Sequence, residues 1–433
     1  MTRTLIKGGC VLTMHPRIGN HHRADVLIED DTIAEVGEHI TARDAEVIDA
    51  SNTVVMPGFV DSHRRVADSL FRGIGGGGGA SVADYTADDV YAATLVGLLG
   101  AAEAGITTVV DWAELGSRSE HVDAALAAHA EAGLRTLVVH AASNDEQSVS
   151  RWQPELRRLA AATRGPLTGL AAGSLEPGRT DRDQLARDWA VARELGLRIH
   201  SPAGTNRSAA GTVSDLAGHR LLGGDITLVH CSHLDDADLG AIAAAGTPVV
   251  VTPSSEMAGG QPPPPVQKLI DHGVRMGLGV GSEWLTPGDL FAQIRAVISV
   301  QHATYFELKL AGKAGLPRLL TTREVIRYGC IDGAAAAGLA DVTGSLEPGK
   351  QADVIILRTD RPNIFPINDP IGAVVWGMDT SNIDWVLVAG RPVVRHGELD
   401  ADLDRIRELA LTARARVVNA AELPATSSAG ESR

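Results

Sequence analysis

The chain has 433 residues, 44% of them hydrophobic, and a formal net charge of −15 at pH 7. This length predicts a large domain plus a smaller one, and the acidic balance argues against a nucleic acid or an anionic membrane as partner, because either needs a basic face. Three scattered cysteines predict neither a disulfide framework nor a thiolate metal cluster, and they favour the reducing cytoplasm as the location.

The first 56 residues predict short antiparallel strands, since apolar alternation is interrupted by turn residues. The predicted strands are Thr4–Lys7, Cys10–Met14, Ala24–Glu29, Thr32–Val36, Glu46–Asp49 and Thr53–Met56.

From residue 58 to about residue 338 the pattern changes to strand–helix repeats, in which apolar runs alternate with Ala-rich amphipathic stretches such as Val90–Ala104 and His121–Ala132. The apolar runs are Phe59–Ser62, Thr107–Val110, Arg135–His140, Leu167–Ala171, Leu197–His200, Ile226–His230, Pro248–Thr252 and Met276–Val280. Eight such units are typical of a (β/α)8 TIM barrel, so the fold class is α/β.

Strands are predicted again in the last quarter of the chain, at Ala352–Arg358, Ile371–Trp376, Trp385–Val388 and Arg391–Arg395. We expect them to join the first strands in a small composite β-sandwich domain of residues 1–56 and 345–400, with the barrel at 57–344. A closing helix is predicted for 401–422, and the Ser/Ala/Gly-rich residues 423–433 are predicted to be disordered.

Two stretches of low complexity fall inside the barrel region. The glycines of 73–79 predict a mobile flap at the barrel mouth, because polyglycine has maximal backbone freedom. Pro262–Pro265 predicts a stiff polyproline segment, either a wall of the pocket or a spacer.

The most informative motif lies in residues 56–65. An apolar strand that ends in Asp-x-His-x-His puts two imidazoles on one strand face, because residues at i and i+2 point the same way. Here the first of these positions is His63, but the second is Arg65. A guanidinium stays protonated and has no lone pair for a metal. The sequence therefore predicts a metal-site motif with one ligand replaced.

Motifs over nearly the whole chain resemble those of the amidohydrolase superfamily, in its cytosine deaminase, chlorohydrolase and adenosylhomocysteine deaminase-like branch. The segments that carry the resemblance are 57–63, 105–111, 229–234, 251–257 and 344–354. The resemblance implies a TIM-barrel hydrolase of carbon–nitrogen bonds that forms a homo-oligomer. It also implies a zinc or iron ion, held by two first-strand His, a fifth-strand His, a sixth-strand His and an eighth-strand Asp, that activates a water molecule.

Carried over one position at a time, the family's ligands fall on His63, His200 and His230. His233 stands in the place of a nearby His that usually contacts the substrate or the attacking water. The family's acidic residue three positions after the fifth-strand His is missing, because Ser-Pro-Ala follows His200.

Two ligand positions depart from the family, with Arg65 for a first-strand His and Gly281 for the eighth-strand Asp. At about 4 Å and an effective dielectric near 20, one positive charge repels a divalent ion by about 8 kcal/mol. We therefore expect no tightly bound metal and no other cofactor, with zinc or iron as the fallback. Glu283 and Asp289 are the carboxylates that could rescue a metal site.

The remaining polar groups predict acid–base chemistry, with a neutral His as base and Arg65 facing developing negative charge. The predicted catalytic residues are His63, Arg65, His200, His230, His233 and Glu256. The predicted pocket residues are Asp111, Trp112, His140, Glu283 and Trp284.

Structural interpretations stand beside these roles. Arg65 could be a buried charge paired with Glu256 or Asp61, Glu256 could only cap its loop, and Glu283 could be a rim residue.

The predicted function is hydrolysis of a non-peptide carbon–nitrogen bond in a small molecule, cyclic molecules included. The alternatives are a lyase, cyclase or dehydratase on the same scaffold, and a ligand-binding protein without catalysis. The acidic chain favours a neutral or cationic substrate, whereas Arg65 favours a carboxylate or enolate, and the sequence does not decide between them.

Overall fold

The structure is a computed structural model that describes residues 2–74, 85–116, 118–141, 146–162 and 165–417. Its strands are β1 (Arg3–Leu12), β2 (Asn20–Glu29), β3 (Thr32–Gly37), β4 (Glu46–Asp49), β5 (Thr53–Pro57), β6 (Phe59–Arg64), β7 (Ile106–Ala113), β8 (Arg135–Ala141), β9 (Thr168–Gly173), β10 (Ile199–Ala203), β11 (Ile226–His230), β12 (Val249–Val251), β13 (Met276–Leu278), β14 (Val354–Arg358), β15 (Ile383–Val388), β16 (Arg391–Arg395) and β17 (Glu398–Leu399).

The α-helices are α1 (Ala87–Glu103), α2 (Ser119–Ala132), α3 (Glu146–Ala161), α4 (Arg182–Glu194), α5 (Thr212–Gly218), α6 (Asp236–Ala245), α7 (Pro253–Ala258), α8 (Val266–Asp271), α9 (Leu290–Leu310), α10 (Thr322–Tyr328), α11 (Ile331–Ala336), α12 (Pro370–Trp376) and α13 (Leu403–Val417). Short 3-10 helices occur at Val66–Phe71, Arg207–Ala209 and Thr380–Asn382.

The strands β6 to β13 form a parallel eight-stranded sheet in sequential order, as predicted for the barrel. The first and last strands come together where the Arg65 amide donates to the Gly281 carbonyl at 2.9 Å and the Gly281 amide donates to the His63 carbonyl at 2.9 Å. All six residues of β6 are buried, because a parallel strand is covered on both faces. The TIM-barrel class predicted from the sequence is confirmed.

The strands from both ends of the chain form a second sheet, in the order β17-β16-β15-β14-β5-β1-β2-β3 with β4 beside β1. The expected composite β-domain is therefore confirmed as an architecture, with its nine strands hydrogen-bonded into one continuous sheet. The exact domain boundaries stay a prediction.

One predicted strand is wrong, because Ile371–Trp376 lies within the helix α12. Asp369 accepts hydrogen bonds from the amides of Ile371 and Gly372, and Pro370 occupies the first turn, so the chain starts a helix there. Within this apolar run, residues 373–375 are buried.

Some predictions fall outside the described residues. The predicted closing helix is present as α13 up to Val417, whereas 418–422 and the tail 423–433 lie outside them, as does most of the glycine stretch, from 75 to 79. Within the described residues, no helix combines the length and the apolar character needed to cross a membrane.

Candidate active site

Three aromatic rings lie close together at the barrel mouth. The imidazole of His63, next to last in β6, lies 5.6 Å from the ring of His230 and 5.7 Å from that of Trp112, between ring centroids. His230 ends β11 and Trp112 is next to last in β7. Since active sites of this fold are built at the carboxyl ends of the strands, these rings mark the candidate site.

His230 is held by a buried carboxylate. Its Nδ1 lies 3.1 Å from Oε1 of Glu256, which is in the first turn of α7 and 3% exposed. A carboxylate can only accept, so Nδ1 carries the proton and the lone pair of the neutral ring is on Nε2.

Glu256 is itself fixed by several donors. Its Oε1 accepts from the Thr252 amide at 2.7 Å, and its Oε2 accepts from the Ser232 hydroxyl at 2.9 Å. Glu256 therefore caps its loop, as considered from the sequence, and the same carboxylate also orients His230.

The backbone at the end of β11 is strained. His230 and Cys231 have φ values of +78° and +66°, in the left-handed region that few non-glycine residues adopt. Such strain is found at functional sites, where the surrounding structure holds it in place. Here it turns the chain sharply after β11, so that Ser232 reaches Glu256.

His200 is fully buried in the second position of β10, not at the strand end, because that strand continues to Ala203. Both of its ring nitrogens lack a partner among the described residues. Burial lowers the pKa of His200 to about 3, with a contribution from the charge of Arg198. Burial likewise holds the pKa of His63 well below its usual value, with further contributions from His230, Arg65 and His200. Both rings are therefore neutral.

His233 is partly buried, and its backbone amide donates to the Gly204 carbonyl at 2.9 Å. No hydrogen bond of its side chain occurs within the described part of the chain, so its predicted role stays a prediction.

Arg65 does not pair with Glu256 or Asp61, the partners considered for it from the sequence. Its Nη2 donates to Oε2 of Glu114 at 2.8 Å, and Glu114 follows β7 directly. The side chain of Arg65 is 42% exposed, so it is a mouth residue rather than a buried charge.

The buried arginine is its neighbour Arg64, which the sequence reasoning missed. Its fully buried guanidinium donates to Asp61 at 3.1 Å and to Glu283 at 2.5 Å. Arg72 donates to the other oxygen of Glu283 at 3.1 Å. Glu283 is therefore neutralised by two arginines, which speaks against it as a metal ligand. The other rescue candidate, Asp289, caps α9 through the Ala292 amide.

Asp68 is a second residue that was missed. It is 6% exposed in the 3-10 helix after β6, and its carboxylate accepts from the Ser282 hydroxyl at 2.8 Å. Burial raises the pKa of Asp68 to about 6, against the opposing effect of Arg65.

The remaining predicted pocket residues do not converge on the three rings. Asp111 is buried. Its carboxylate accepts a hydrogen bond from the Val66 amide at 3.1 Å and lies 2.9 Å from Nε2 of His129, so it anchors the segment after β6. His140 lines a separate cavity of only about 10 Å³ with residues that include Trp152 and Glu155. Trp284 packs against Phe71 at 5.7 Å between ring centroids.

The donor set does not fit the cation implied by the family resemblance. Within the described ranges, no three His, Cys, Asp or Glu side chains are placed so that they could hold a metal ion. At Gly281, where the resemblance places an Asp, φ is +75° and an added Cβ would lie 2.8 Å from the Ser255 side chain. The unpartnered nitrogens of His200 leave room for a bound group, but an Asp at position 281 would need a strained φ and a shift of Ser255.

Solved structures share the fold over almost the whole chain. An adenosine deaminase from Xanthomonas campestris with bound zinc has a TM-score of 0.80 and 20% identity, covering 96% of this chain and 98% of that one. Atrazine chlorohydrolase TrzN from Arthrobacter aurescens, complexed with zinc, has a TM-score of 0.80 and 21% identity, covering 95% of this chain and all of that one at 100%.

Curated relatives are similar along most of their length. A 5'-deoxyadenosine deaminase of Methanothermobacter thermautotrophicus is 28% identical, over 92% of this chain and 96% of the relative. A 5-methylthioadenosine/S-adenosylhomocysteine deaminase of Symbiobacterium thermophilum is 27% identical, over 91% and 94%. These names describe hydrolases of carbon–nitrogen bonds other than peptide bonds, and the enzyme class predicted from the sequence is confirmed. Residues 54–393 match the model of the amidohydrolase family, more than half of the chain, so the chain belongs to that family.

Proposed function

We infer that the protein hydrolyses the bond between a ring carbon and an exocyclic nitrogen of a small molecule, with His230 as general base. The observation that carries this proposal is the hydrogen bond between His230 Nδ1 and the buried carboxylate of Glu256. It fixes the ring so that Nε2 can accept a proton, and it places a negative charge where the imidazolium forms.

The steps follow from these groups. Nε2 of His230 removes a proton from a water molecule, whose oxygen forms a bond to the ring carbon. The ring nitrogen or oxygen that takes up the electron pair becomes more negative, and the guanidinium of Arg65 stabilises it. His230 then gives the proton to the leaving nitrogen, and the electron pair on the ring atom returns as the carbon–nitrogen bond breaks and ammonia or an amine departs. The new hydroxyl passes its remaining proton to the ring nitrogen, so that the carbonyl forms.

No step of this proposal passes through a divalent cation. It is supported by the donor set, in which Arg65 and Gly281 stand where the resemblance places a His and an Asp. The zinc bound in the two structural neighbours supports a metal-dependent reaction instead, so the metal content of this protein is tested separately.

The relatives indicate which substrates to test first. Two of them are deaminases of 5'-deoxyadenosine and of 5-methylthioadenosine or S-adenosylhomocysteine. Their similarity along most of their length supports an amino-substituted purine nucleoside as substrate. The ring of Trp112, next to His63, offers a flat apolar surface for such a base.

The test is incubation of the full chain with 5'-deoxyadenosine, 5-methylthioadenosine and S-adenosylhomocysteine, followed by ammonia detection and mass analysis of the product. Replacement of the amino group by oxygen with one ammonia released supports the proposal. A product formed without gain of water would instead indicate a lyase or cyclase, and a substrate that binds and is recovered unchanged would indicate a binding protein.

We also propose a cytoplasmic location and a homo-oligomeric state. The three cysteines, all of them free thiols, support a reducing compartment. The oligomer has only the family resemblance as support and is tested by light scattering.

A further inference from the structure

The mouth of the barrel carries an arginine whose charge is already compensated. Nη2 of Arg65 donates to Oε2 of Glu114 at 2.8 Å, and no other side-chain acceptor of Arg65 is found among the described residues. The side chains are 42% and 26% exposed, so both are within reach of a ligand that enters from solvent.

Glu114 also contacts Trp112, one of the three aromatic rings of the candidate site. Its Oε2 accepts from Nε1 of Trp112 at 3.4 Å, and Trp112 lies 5.7 Å from His63 between ring centroids. One carboxylate oxygen therefore connects the guanidinium to the indole that lines the proposed substrate position.

A free arginine at this place would select anions, because a guanidinium binds a carboxylate through two parallel, charge-assisted hydrogen bonds. Glu114, which is hydrogen-bonded to Arg65, and the nearby buried Asp68 compensate the charge of the guanidinium, while its remaining N–H groups can still donate to an uncharged carbonyl or ring nitrogen. An anionic ligand would meet the Glu114 carboxylate together with the guanidinium, and like charges oppose binding.

We propose that Glu114 is a specificity-determining residue: it neutralises Arg65 and restricts the position beside Arg65 to uncharged parts of a ligand, and its removal opens that position to carboxylates. The proposal rests on the proposed function in that it takes the barrel mouth as the substrate site. The acidic chain favours a neutral or cationic substrate and Arg65 favours an anionic one. Neutralisation of Arg65 by Glu114 favours a neutral substrate.

The test is isothermal titration of the full chain with sodium benzoate, a flat carboxylate, at low ionic strength. Glu114→Gln keeps the size of the side chain and an acceptor for Trp112, and we expect its Kd for benzoate to be at least about tenfold lower than that of the wild type. The gain should vanish in the double variant Glu114→Gln with Arg65→Met. Glu194→Gln is the matched control, because it also removes a carboxylate from an ion pair with an arginine, Arg157, on the exposed surface.

Arg65→Met alone gives a second test that leaves Glu114 in place. Because this variant leaves the Glu114 carboxylate without its cation, the mouth gains a net negative charge, and its Kd for benzoate should be at least about twofold higher than the wild-type value. Equal Kd values for wild type and Glu114→Gln, a gain that persists without Arg65, or tighter benzoate binding by Arg65→Met than by the wild type would each overturn the proposal. The titration needs no turnover, so a protein inactive on nucleosides that shows this benzoate pattern refutes the nucleoside substrates of the proposed function and leaves the role of Glu114 standing.

Discussion

The replacement Glu256→Gln tests the His230–Glu256 pair with little disturbance of the fold. Oε1 takes the hydrogen bonds from His230 Nδ1 at 3.1 Å and from the Thr252 amide at 2.7 Å, and the amide oxygen of glutamine can occupy that position. The amide nitrogen then faces Ser232, whose hydroxyl can turn and accept, because a hydroxyl both donates and accepts. The geometry is kept, and the negative charge is lost.

The size of the effect follows from that charge. A hydrogen bond to a charged group contributes about 1.5–3 kcal/mol and a neutral one about 0.5–1.5 kcal/mol. The imidazolium that forms on His230 therefore loses about 1–2 kcal/mol of stabilisation. Because about 1.4 kcal/mol corresponds to a factor of ten in rate, kcat should fall about 5- to 30-fold. Glu256→Ala also removes the acceptor that orients the ring, so its kcat should fall by about 100-fold or more.

The assay is steady-state ammonia release from the nucleoside that wild type turns over fastest, with thermal unfolding of each variant as the check on folding. Glu194→Gln, the surface control, should keep wild-type kcat. If folded Glu256→Gln kept kcat within about twofold of wild type, the charge of Glu256 would have no part in the reaction and the assignment of His230 as base would be refuted.

Three further predictions concern stability and assembly. Arg64→Met should lower the free energy of unfolding by about 3–5 kcal/mol in urea denaturation, because it leaves Asp61 buried without its cation and Glu283 with Arg72 alone; a loss below about 1 kcal/mol would contradict this. His140 has its pKa lowered by burial to about 4, so its neutral form is favoured in the folded protein and stability is lost as pH falls from about 6.5 to 4. His140→Leu should remove about 3 kcal/mol of that decline, measured as unfolding free energy at pH 7 and pH 4, and an unchanged decline would show that other groups cause it. Light scattering should give a mass of at least twice 45.3 kDa, and a monomer at micromolar concentration would contradict the homo-oligomer.

Much of the fold was predictable because its signals are local. The period of the apolar runs and the motif around His63 identify the barrel and its first strand from consecutive residues. The error at Ile371–Trp376 came from reading β-branched and apolar residues as a strand, although Asp369 followed by Pro370 is a helix start.

The site was less predictable, because its contacts join distant parts of the chain. Glu114 is 49 residues from Arg65, and Glu283 is 219 residues from Arg64, so spacing in the sequence does not reveal either pair. Spacing along the strand predicted that Arg65 takes the place of the second His of the motif. It did not predict that the barrel buries Arg64 and leaves Arg65 partly exposed. That depends on the loop after β13, which supplies Glu283.

The central claim is that the reaction uses His230, Glu256 and Arg65 in place of a bound divalent cation. Metal content, measured by elemental analysis of protein purified without chelator and again after incubation with zinc, iron(II) and manganese, tests it most directly. The account predicts less than about a tenth of an equivalent throughout, and a kcat that is unchanged after dialysis against a chelator. About one equivalent of metal, with activity that is lost on chelation and restored by the ion, would contradict it.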